Sequence, residues 1–190
     1  MNACALASAA AVILSAGAAA AAAANATSYA ADADHSRLEF VGVQAGADFK
    51  GVFHKFTASV TFAPDAPAGS NLDVLIDLNS VDSLDKDRDK TIRGADIFDV
   101  AHQPTAHYVA TAFTKSAAGY TAAGMLTLHG ITKAVPIDFK FTPGAGGATL
   151  EGSAQLKRLD FGVGQGDWKS TEWVGDTVKI NFSLQLKPKP

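Results

Sequence analysis

Apolar and polar residues alternate with a period of two in several segments of the chain after residue 36. The last segment is the most regular, and its apolar positions are Val178, Ile180, Phe182, Leu184 and Leu186. A period of two is typical of β-strands that bury one face. The pattern predicts eight strands: Arg37–Val43, Phe56–Phe62, Leu72–Leu78, His107–Thr114, Tyr120–Leu128, Val135–Phe141, Leu150–Lys157 and Val178–Lys187.

The connections between these strands are mostly short and rich in Gly and Pro, as expected between antiparallel neighbours. Two are longer. The first contains a short helical insertion that we predict near residues 85–99, and the second, 162–175, contains both tryptophans. Eight one-sided strands can close into a barrel without free edges, although a two-sheet sandwich would give the same alternation. From the strand count and the short connections we predict an all-β, eight-stranded antiparallel barrel.

Alternation alone does not say whether the apolar face of the barrel points inward or outward. An outer-membrane barrel needs aromatic girdles at both ends of its strands. The chain has three Tyr and two Trp, and both Trp fall in one connection. We therefore predict that the apolar face points inward and that the chain has no integral membrane span.

The N-terminal segment differs in composition from the rest of the chain. Residues 1–26 are mostly Ala and contain no charged residue and no His, and Ala24-Asn25-Ala26 fits a signal-peptidase site. A basic n-region is missing, so an Ala-rich tail is the alternative interpretation. We predict a signal peptide over residues 1–26, one domain over 27–190, and a periplasmic or secreted location. The single cysteine, Cys4, precedes the predicted cleavage site, so the mature chain has no disulfide.

Composition and motifs argue against several functions. With 47% hydrophobic residues, 18% charged residues and a net charge of −3, the chain can bury a core but does not attract nucleic acid. The five histidines lie in separate segments without metal-ligand spacing, and no nucleophile motif is present. We predict that the protein is not an enzyme and has no metal site and no cofactor.

Asp85, Asp87 and Asp89 resemble the first three ligands of a calcium loop. However, Lys90 stands where the loop needs Gly, and Asp96 replaces the bidentate Glu. The preferred interpretation is the start of a helix, with carboxylates near its positive end.

Several ordered motifs resemble those of the YceI-like, polyisoprenoid-binding family. They are Asp34–Phe40, Val52-Phe53 with Phe56 and Val60–Phe62, Ser80–Asp82, Arg88-Asp89, Ile92-Arg93, Asp96–Asp99 with Pro104, Leu126–Lys133 and Arg158–Val163. The resemblance covers about Ala33 to Leu186. At Ile97 the family usually shows a second Phe, a difference that affects the cavity more than the fold. The resemblance implies an exported, lipocalin-like barrel with an elongated apolar tunnel for long isoprenoids, including quinones.

The sequence thus predicts an exported carrier or storage protein that binds a long isoprenoid lipid or quinone. The expected apolar lining comprises Phe40, Phe53, Phe56, Val60, Phe62, Val74, Ile76, Ile97, Phe98, Tyr108, Phe113, Leu126, Leu128, Ile137, Phe139 and Phe161. Arg88, Arg93 and Arg158 are candidates for contacting a polar head group, and the alternative is that they form ion pairs with Asp89, Asp96 or Asp160.

A competing hypothesis is a stress-related periplasmic domain that binds a protein partner and whose barrel is filled by side chains. Periodicity does not distinguish these hypotheses, because it does not give the volume of the interior. A homodimer is compatible with both.

Overall fold

The computed structural model describes residues 26–189. They form eleven β-strands: β1 (Thr27–Ala31), β2 (Arg37–Gln44), β3 (Ala47–Phe53), β4 (Phe56–Phe62), β5 (Asn71–Asp77), β6 (Val81–Asp82), β7 (Thr105–Ser116), β8 (Gly119–Leu128), β9 (Ile131–Gly144), β10 (Gly147–Lys157) and β11 (Thr177–Pro188). One α-helix, α1 (Lys86–Arg93), lies between β6 and β7. All strand pairs are antiparallel.

These eleven strands occupy eight strand positions around the barrel, here called walls. Five walls are single strands, and each of the other three consists of two shorter strands with an interruption between them. β1 and β2 pair with successive parts of β11, on the side opposite β10. In the next wall, β4 pairs with β1 and β3 pairs with β2. In the wall after that, β5 pairs with β4 and β6 pairs with β3. The order β1-β4-β5-β7-β8-β9-β10-β11 closes through the β1–β11 pairing. The chain is therefore a closed, eight-stranded antiparallel barrel, as predicted from the strand count and the short connections.

The predicted strand boundaries omit half of each interrupted wall. The missing parts are β1, β3 and β6. β1 is short and has no regular alternation, and β3 carries Gly51 at an inward position, where the Phe40 ring of β2 occupies the space that a side chain would fill. A glycine at an inward position weakens the periodic signal without ending the strand, since the neighbouring ring covers the gap.

The two ends of the barrel differ in the length of their connections. At one end, here called the closed end, β1 begins and mostly short connections join the strands. At the other end, here called the mouth, two long segments cross the opening: residues 83–104, which include α1, and residues 158–176. Asp85 caps α1 by accepting hydrogen bonds from the backbone N–H groups of Asp87 and Arg88, which fixes the start of this helix.

The two mouth segments are joined to each other. The backbone carbonyl of Asp96 accepts hydrogen bonds from the N–H groups of Gly164 and Gln165, with N···O distances of 2.9 and 2.7 Å.

No helix of the described residues is long and apolar enough to cross a membrane. The predicted signal peptide, apart from Ala26, lies outside the residues that the structure describes.

Candidate functional site: an apolar cavity at the mouth of the barrel

The interior of the barrel is only partly filled. A cavity of about 220 Å³ extends from the mouth toward the middle of the barrel and is lined almost entirely by apolar side chains. Its size lies between that of an engineered benzene-binding cavity of roughly 150 Å³ and common ligand pockets of roughly 300–1,000 Å³. Because apolar cavities without polar partners do not hold ordered water well, this space favours an apolar guest.

The structure places most of the predicted lining residues around this cavity. They are Phe40, Phe53, Phe56, Val74, Ile76, Ile97, Phe98, Tyr108, Leu126, Leu128 and Ile137. Five others are buried but do not line it: Val60, Phe62, Phe113, Phe139 and Phe161. Four of these five point into the half of the interior near the closed end, whereas Phe161 lies in the 158–176 segment. Contact of any of these residues with a ligand stays a prediction.

Aromatic rings fill the closed-end half of the interior. Phe62 lies at the centre of this group, with its ring centroid 4.7 Å from that of Phe141 and 4.9 Å from that of Tyr120. Phe139 packs against Phe62 at 5.5 Å, and Phe113 against Phe139 at 6.1 Å. We call these five residues the aromatic cluster. It leaves the mouth half as the place where the cavity lies.

Arg158 is a buried cation that lines the cavity at the mouth. Its guanidinium donates to the backbone carbonyls of Gly175 (3.0 Å), Val163 (3.0 Å), Val174 (2.9 Å) and Ser170 (3.3 Å). Burial lowers the pKa of Arg158, and the nearby carboxylate of Asp176 opposes this shift. The four hydrogen bonds hold the 158–176 segment over the mouth, so the side chain has a clear structural role.

Gly164 makes room for this guanidinium. It has a φ of +94°, and a Cβ there would overlap the Arg158 side chain. Only glycine adopts this positive φ without strain and also leaves the space that the Arg158 side chain needs.

Arg88 and Arg93 are nearby on α1 but do not line the cavity. The Arg88 guanidinium lies 4.6 Å from the centroid of the Phe49 ring, donates to the side-chain oxygen of Gln44 at 3.2 Å, and pairs with Asp85 at 3.4 Å. Arg93 donates to the backbone carbonyl of Val81 at 3.1 Å.

The ion pairs considered at the sequence level, with Asp89, Asp96 or Asp160, are not formed by the three arginines. Asp89 instead accepts hydrogen bonds from the Ser83 backbone N–H (2.8 Å) and hydroxyl (2.7 Å), and Asp160 pairs with Lys133 at 3.4 Å. The three arginines donate to backbone carbonyls of the interrupted strands and the long loops, because those carbonyls have no hydrogen-bond partner in a β-ladder.

Sequence reasoning missed several residues of the mouth. Phe49, Ile92, Trp168 and Val174 all line the cavity. Phe49 lies on β3, which the alternation did not identify, and its ring covers inward-facing Gly42 on β2. Trp168 and Val174 belong to an irregular segment without periodicity, so their only sequence signal is the concentration of aromatic residues there.

The cavity offers almost no hydrogen-bonding group to a ligand. Its one phenol, Tyr108, donates to the backbone carbonyl of Val135 at 3.0 Å, and burial raises the pKa of Tyr108. Among residues 26–189 no group of three potential metal ligands occurs, and every buried side-chain N or O atom has a hydrogen-bond partner. The geometry thus suits burial of an apolar molecule.

Comparisons with known proteins agree with this geometry. The model of the YceI-like domain matches residues 29–186. A UPF0312 protein of Yersinia enterocolitica is 34% identical over 147 residues, which cover 73% of this chain and 77% of that protein.

Solved structures show the same fold. The crystal structure of Burkholderia cenocepacia BcnA superposes with a TM-score of 0.74 at 34% identity, covering 81% of this chain and 98% of that one. A polyisoprenoid binding domain from Saccharophagus degradans, implicated in plant cell wall breakdown, gives a TM-score of 0.66 at 18% identity, covering 86% of this chain and 99% of that one.

Proposed function

Because the chain belongs to the YceI-like family, we propose that it binds an isoprenoid lipid or quinone in the barrel cavity and serves as an exported carrier or storage protein. The observation that carries this proposal is the unfilled, apolar cavity of about 220 Å³ in the mouth half. The Saccharophagus degradans neighbour, described as a polyisoprenoid binding domain, supports the ligand class. Binding, and not catalysis, is the role that such a lining supports.

The affinity for such a ligand has to come from apolar surface. Removing apolar surface from water contributes roughly 25 cal/mol per Å², and an isoprenoid chain offers little else for recognition. Side chains such as Val74, Ile76 and Phe98 face the cavity and remain only half-buried, so they have surface left to cover. A bound chain would therefore also stabilise the fold, since it binds the native state only.

A polar head group would stay at the mouth. The side chain of Arg88 is 26% exposed, and its guanidinium contacts one carbonyl, one amide oxygen and one carboxylate at 3.4 Å. Arg93 and Arg158 already bind carbonyls of the mouth segments. A phosphate or quinone oxygen near Arg88 would gain a charge-assisted hydrogen bond at little cost in structure.

Export is part of the proposal and rests on the sequence. Cleavage after Ala26 would leave Thr27, the first residue of β1, at the new N-terminus, so the predicted signal peptide could be removed without cutting the barrel. Fractionation of the native host, with an antibody against the mature domain, tests the periplasmic or secreted location.

The decisive experiment is organic extraction of protein purified from its native compartment, followed by mass spectrometry. We expect a prenyl lipid or quinone in the extract that is absent from an unrelated exported protein purified in the same way. Empty extracts, together with no binding of an added prenyl quinone, would contradict the proposal and favour a domain that binds a protein partner.

A further inference from the structure

The pairing between β9 and β10 stops before these strands reach the mouth. From the closed end they are paired as far as Ile137 and Ala154. Toward the mouth, β9 extends farther to Ile131 and β10 extends farther to Lys157, but these parts are not paired with each other. On its other side, β9 stays paired with β8 as far as Ile131. We call the opening between residues 131–136 and residues 155–157 the side gap.

A proline lies where the side gap begins. The two-residue turn His129-Gly130, with a positive φ at both residues, joins β8 to β9, so Leu128 and Ile131 form a hydrogen-bonded pair. Hydrogen-bonded and non-hydrogen-bonded pairs alternate along such a ladder, which makes Pro136 and Ala123 a non-hydrogen-bonded pair. The backbone nitrogen of Pro136 therefore points toward β10, where it has no hydrogen to donate. The ladder between β9 and β10 ends at this residue because the next bond lacks its donor.

The side gap is closed by side chains instead of a backbone ladder. Val135 and Leu156 would face each other if the register of β9 and β10 continued, and both line the cavity. The same two residues also line a groove on the outer surface of the barrel, together with Lys133, Asp160 and Phe161. A single layer of side chains therefore separates the cavity from the outer groove at this place.

The cover of the mouth is held more firmly than the side gap. Arg158 makes four hydrogen bonds within the 158–176 segment, and the Asp96 carbonyl accepts two more that join this segment to the other mouth segment. Across the side gap, Lys133 pairs with Asp160 at 3.4 Å, with side chains 45% and 53% exposed. An exposed ion pair of this kind contributes little stability. Rotating apolar side chains in the gap breaks no hydrogen bond, whereas lifting the mouth segment breaks several.

We propose that the side gap is a lateral entrance, through which an apolar chain passes between Val135 and Leu156 into the cavity. This inference rests on the proposed function and deepens it, since it assigns the route by which the ligand reaches the site. The gap continues to the mouth, so the chain can pass through the wall while its polar head group stays in water. The ligand thus avoids the cost of burying an unpaired polar group on its way.

The test measures binding rates with coenzyme Q of two isoprene units, because its quinone ring quenches tryptophan fluorescence. Trp168 lines the cavity and reports the arrival of the quinone, and Trp173→Phe removes the other tryptophan of the chain. All variants are made in this Trp173→Phe parent protein and compared by stopped-flow fluorescence. An entrance changes the barrier and not the bound state, so closing it should slow association and dissociation by the same factor.

The first variant closes the side gap. Pro136→Val supplies the missing N–H and allows β9 and β10 to pair farther, so both rates should fall at least about tenfold. Slower amide hydrogen exchange at Gln155 and Lys157 would show independently that the ladder has been extended. The matched control is Pro143→Val, which changes an exposed proline of the same strand where β9 is already paired with Ala148 of β10. It should leave both rates within about twofold of the parent protein.

The second variant widens the side gap. Leu156→Ala removes one of the two side chains that close it, so association should accelerate at least about fivefold. Its control is Leu126→Ala, which removes the same group from the cavity lining, but from a strand that is paired with both neighbours. We expect Leu126→Ala to weaken binding through faster dissociation, without faster association.

The outcomes separate the two proposals. If Pro136→Val and Pro143→Val give the same rates, or if Leu156→Ala accelerates association no more than Leu126→Ala does, the lateral entrance is wrong although the carrier survives. It is also wrong if Arg158→Lys, which loosens the mouth, accelerates association while Pro136→Val leaves it unchanged. If neither the quinone nor farnesol binds to the parent protein, the proposed function itself fails, and the entrance fails with it. Should Pro136→Val fail to fold, Leu156→Ala and its control still decide the question.

Discussion

The two halves of the barrel interior are built from the same kinds of residues but are packed differently. Near the closed end, Phe62 and Leu150 are each 1% exposed, and the rings of the aromatic cluster touch one another. In the mouth half, inward-facing side chains such as Val74, Ile76 and Ile180 stay only half-buried because they border the cavity. The closed-end half therefore contains the tightly packed part of the core, and the mouth half contains the free volume that the proposed ligand would fill.

The largest expected effect comes from truncating a ring in the closed-end half. Phe62→Ala should lower the free energy of unfolding by about 3–5 kcal/mol, because the surrounding rings cannot collapse into the space that it leaves. The matched variant is Phe53→Ala, which removes a ring that already borders the cavity. Phe53→Ala should lower the free energy of unfolding by clearly less than Phe62→Ala does. Urea denaturation of the ligand-free proteins measures both, and equal losses would show that the two halves are equally well packed.

A buried charge should break binding in the mouth half. Ile76 faces the cavity, whereas its neighbour Leu75 on the same strand faces outward and is 44% exposed. Ile76→Lys places an unpaired ammonium among apolar groups and should weaken farnesol binding by at least about a hundredfold. Leu75→Lys should leave farnesol binding within about twofold of the unchanged protein. Comparable losses in the two variants, measured by calorimetry on folded protein, would place the ligand elsewhere.

A smaller effect should come from loosening the mouth. Arg158→Lys keeps the charge but cannot donate to four carbonyls in a planar arrangement. We expect a loss of about 2 kcal/mol in stability, in line with the loss of charge-assisted hydrogen bonds. Amide hydrogen exchange should accelerate in residues 163–176 and stay unchanged in β8 and β9. Uniform acceleration throughout the barrel would argue against a local role for Arg158.

The smallest expected effect on stability comes from the N-terminal cap of α1 at the mouth. The backbone N–H of Arg88, followed by the charge of its guanidinium, lowers the pKa of Asp85 below its usual range. Since the folded-state pKa is depressed, the stabilising effect of this cap is fully present above the ordinary aspartate pKa of about 4 and is lost as the pH falls through the lower folded-state value.

Asp85→Asn should keep the cap and remove this part of the pH dependence, because Asn accepts the same hydrogen bonds without titrating. Thermal unfolding of both proteins between pH 2 and 7 checks the expectation. Parallel curves for the two proteins would show that Asp85 does not contribute to the acid sensitivity of the fold.

The family and the barrel could be read from the sequence because both depend on local patterns. The alternation along β11 and the hairpin around Leu126–Lys133 are continuous in the chain. The interruptions of the walls could not be predicted from the sequence. β1 and β3 show little alternation of apolar and polar residues, and their place in the sheet depends on pairing with other strands.

The candidate site was predictable only in part. Inward-facing residues such as Ile76 and Phe139 look alike in the sequence, yet only Ile76 lines the cavity. Height along the barrel axis decides this difference, and that height depends on how neighbouring strands are staggered. The mouth residues Phe49 and Trp168 were missed because they lie in segments without a clear period.

The sequence by itself determined the family and the eight alternating segments, because both follow from residue order within short segments. It also indicated the inward direction of the apolar face, because the chain has too few Tyr and Trp residues for the aromatic girdles of a lipid-facing barrel. Only the tertiary structure decided where the interior is full and where it is hollow. That division depends on rings that reach across strands, such as Tyr108 over Gly124 and Phe182 over Gly152. Volume belongs to side chains brought together from distant parts of the chain, and a one-dimensional pattern does not contain it.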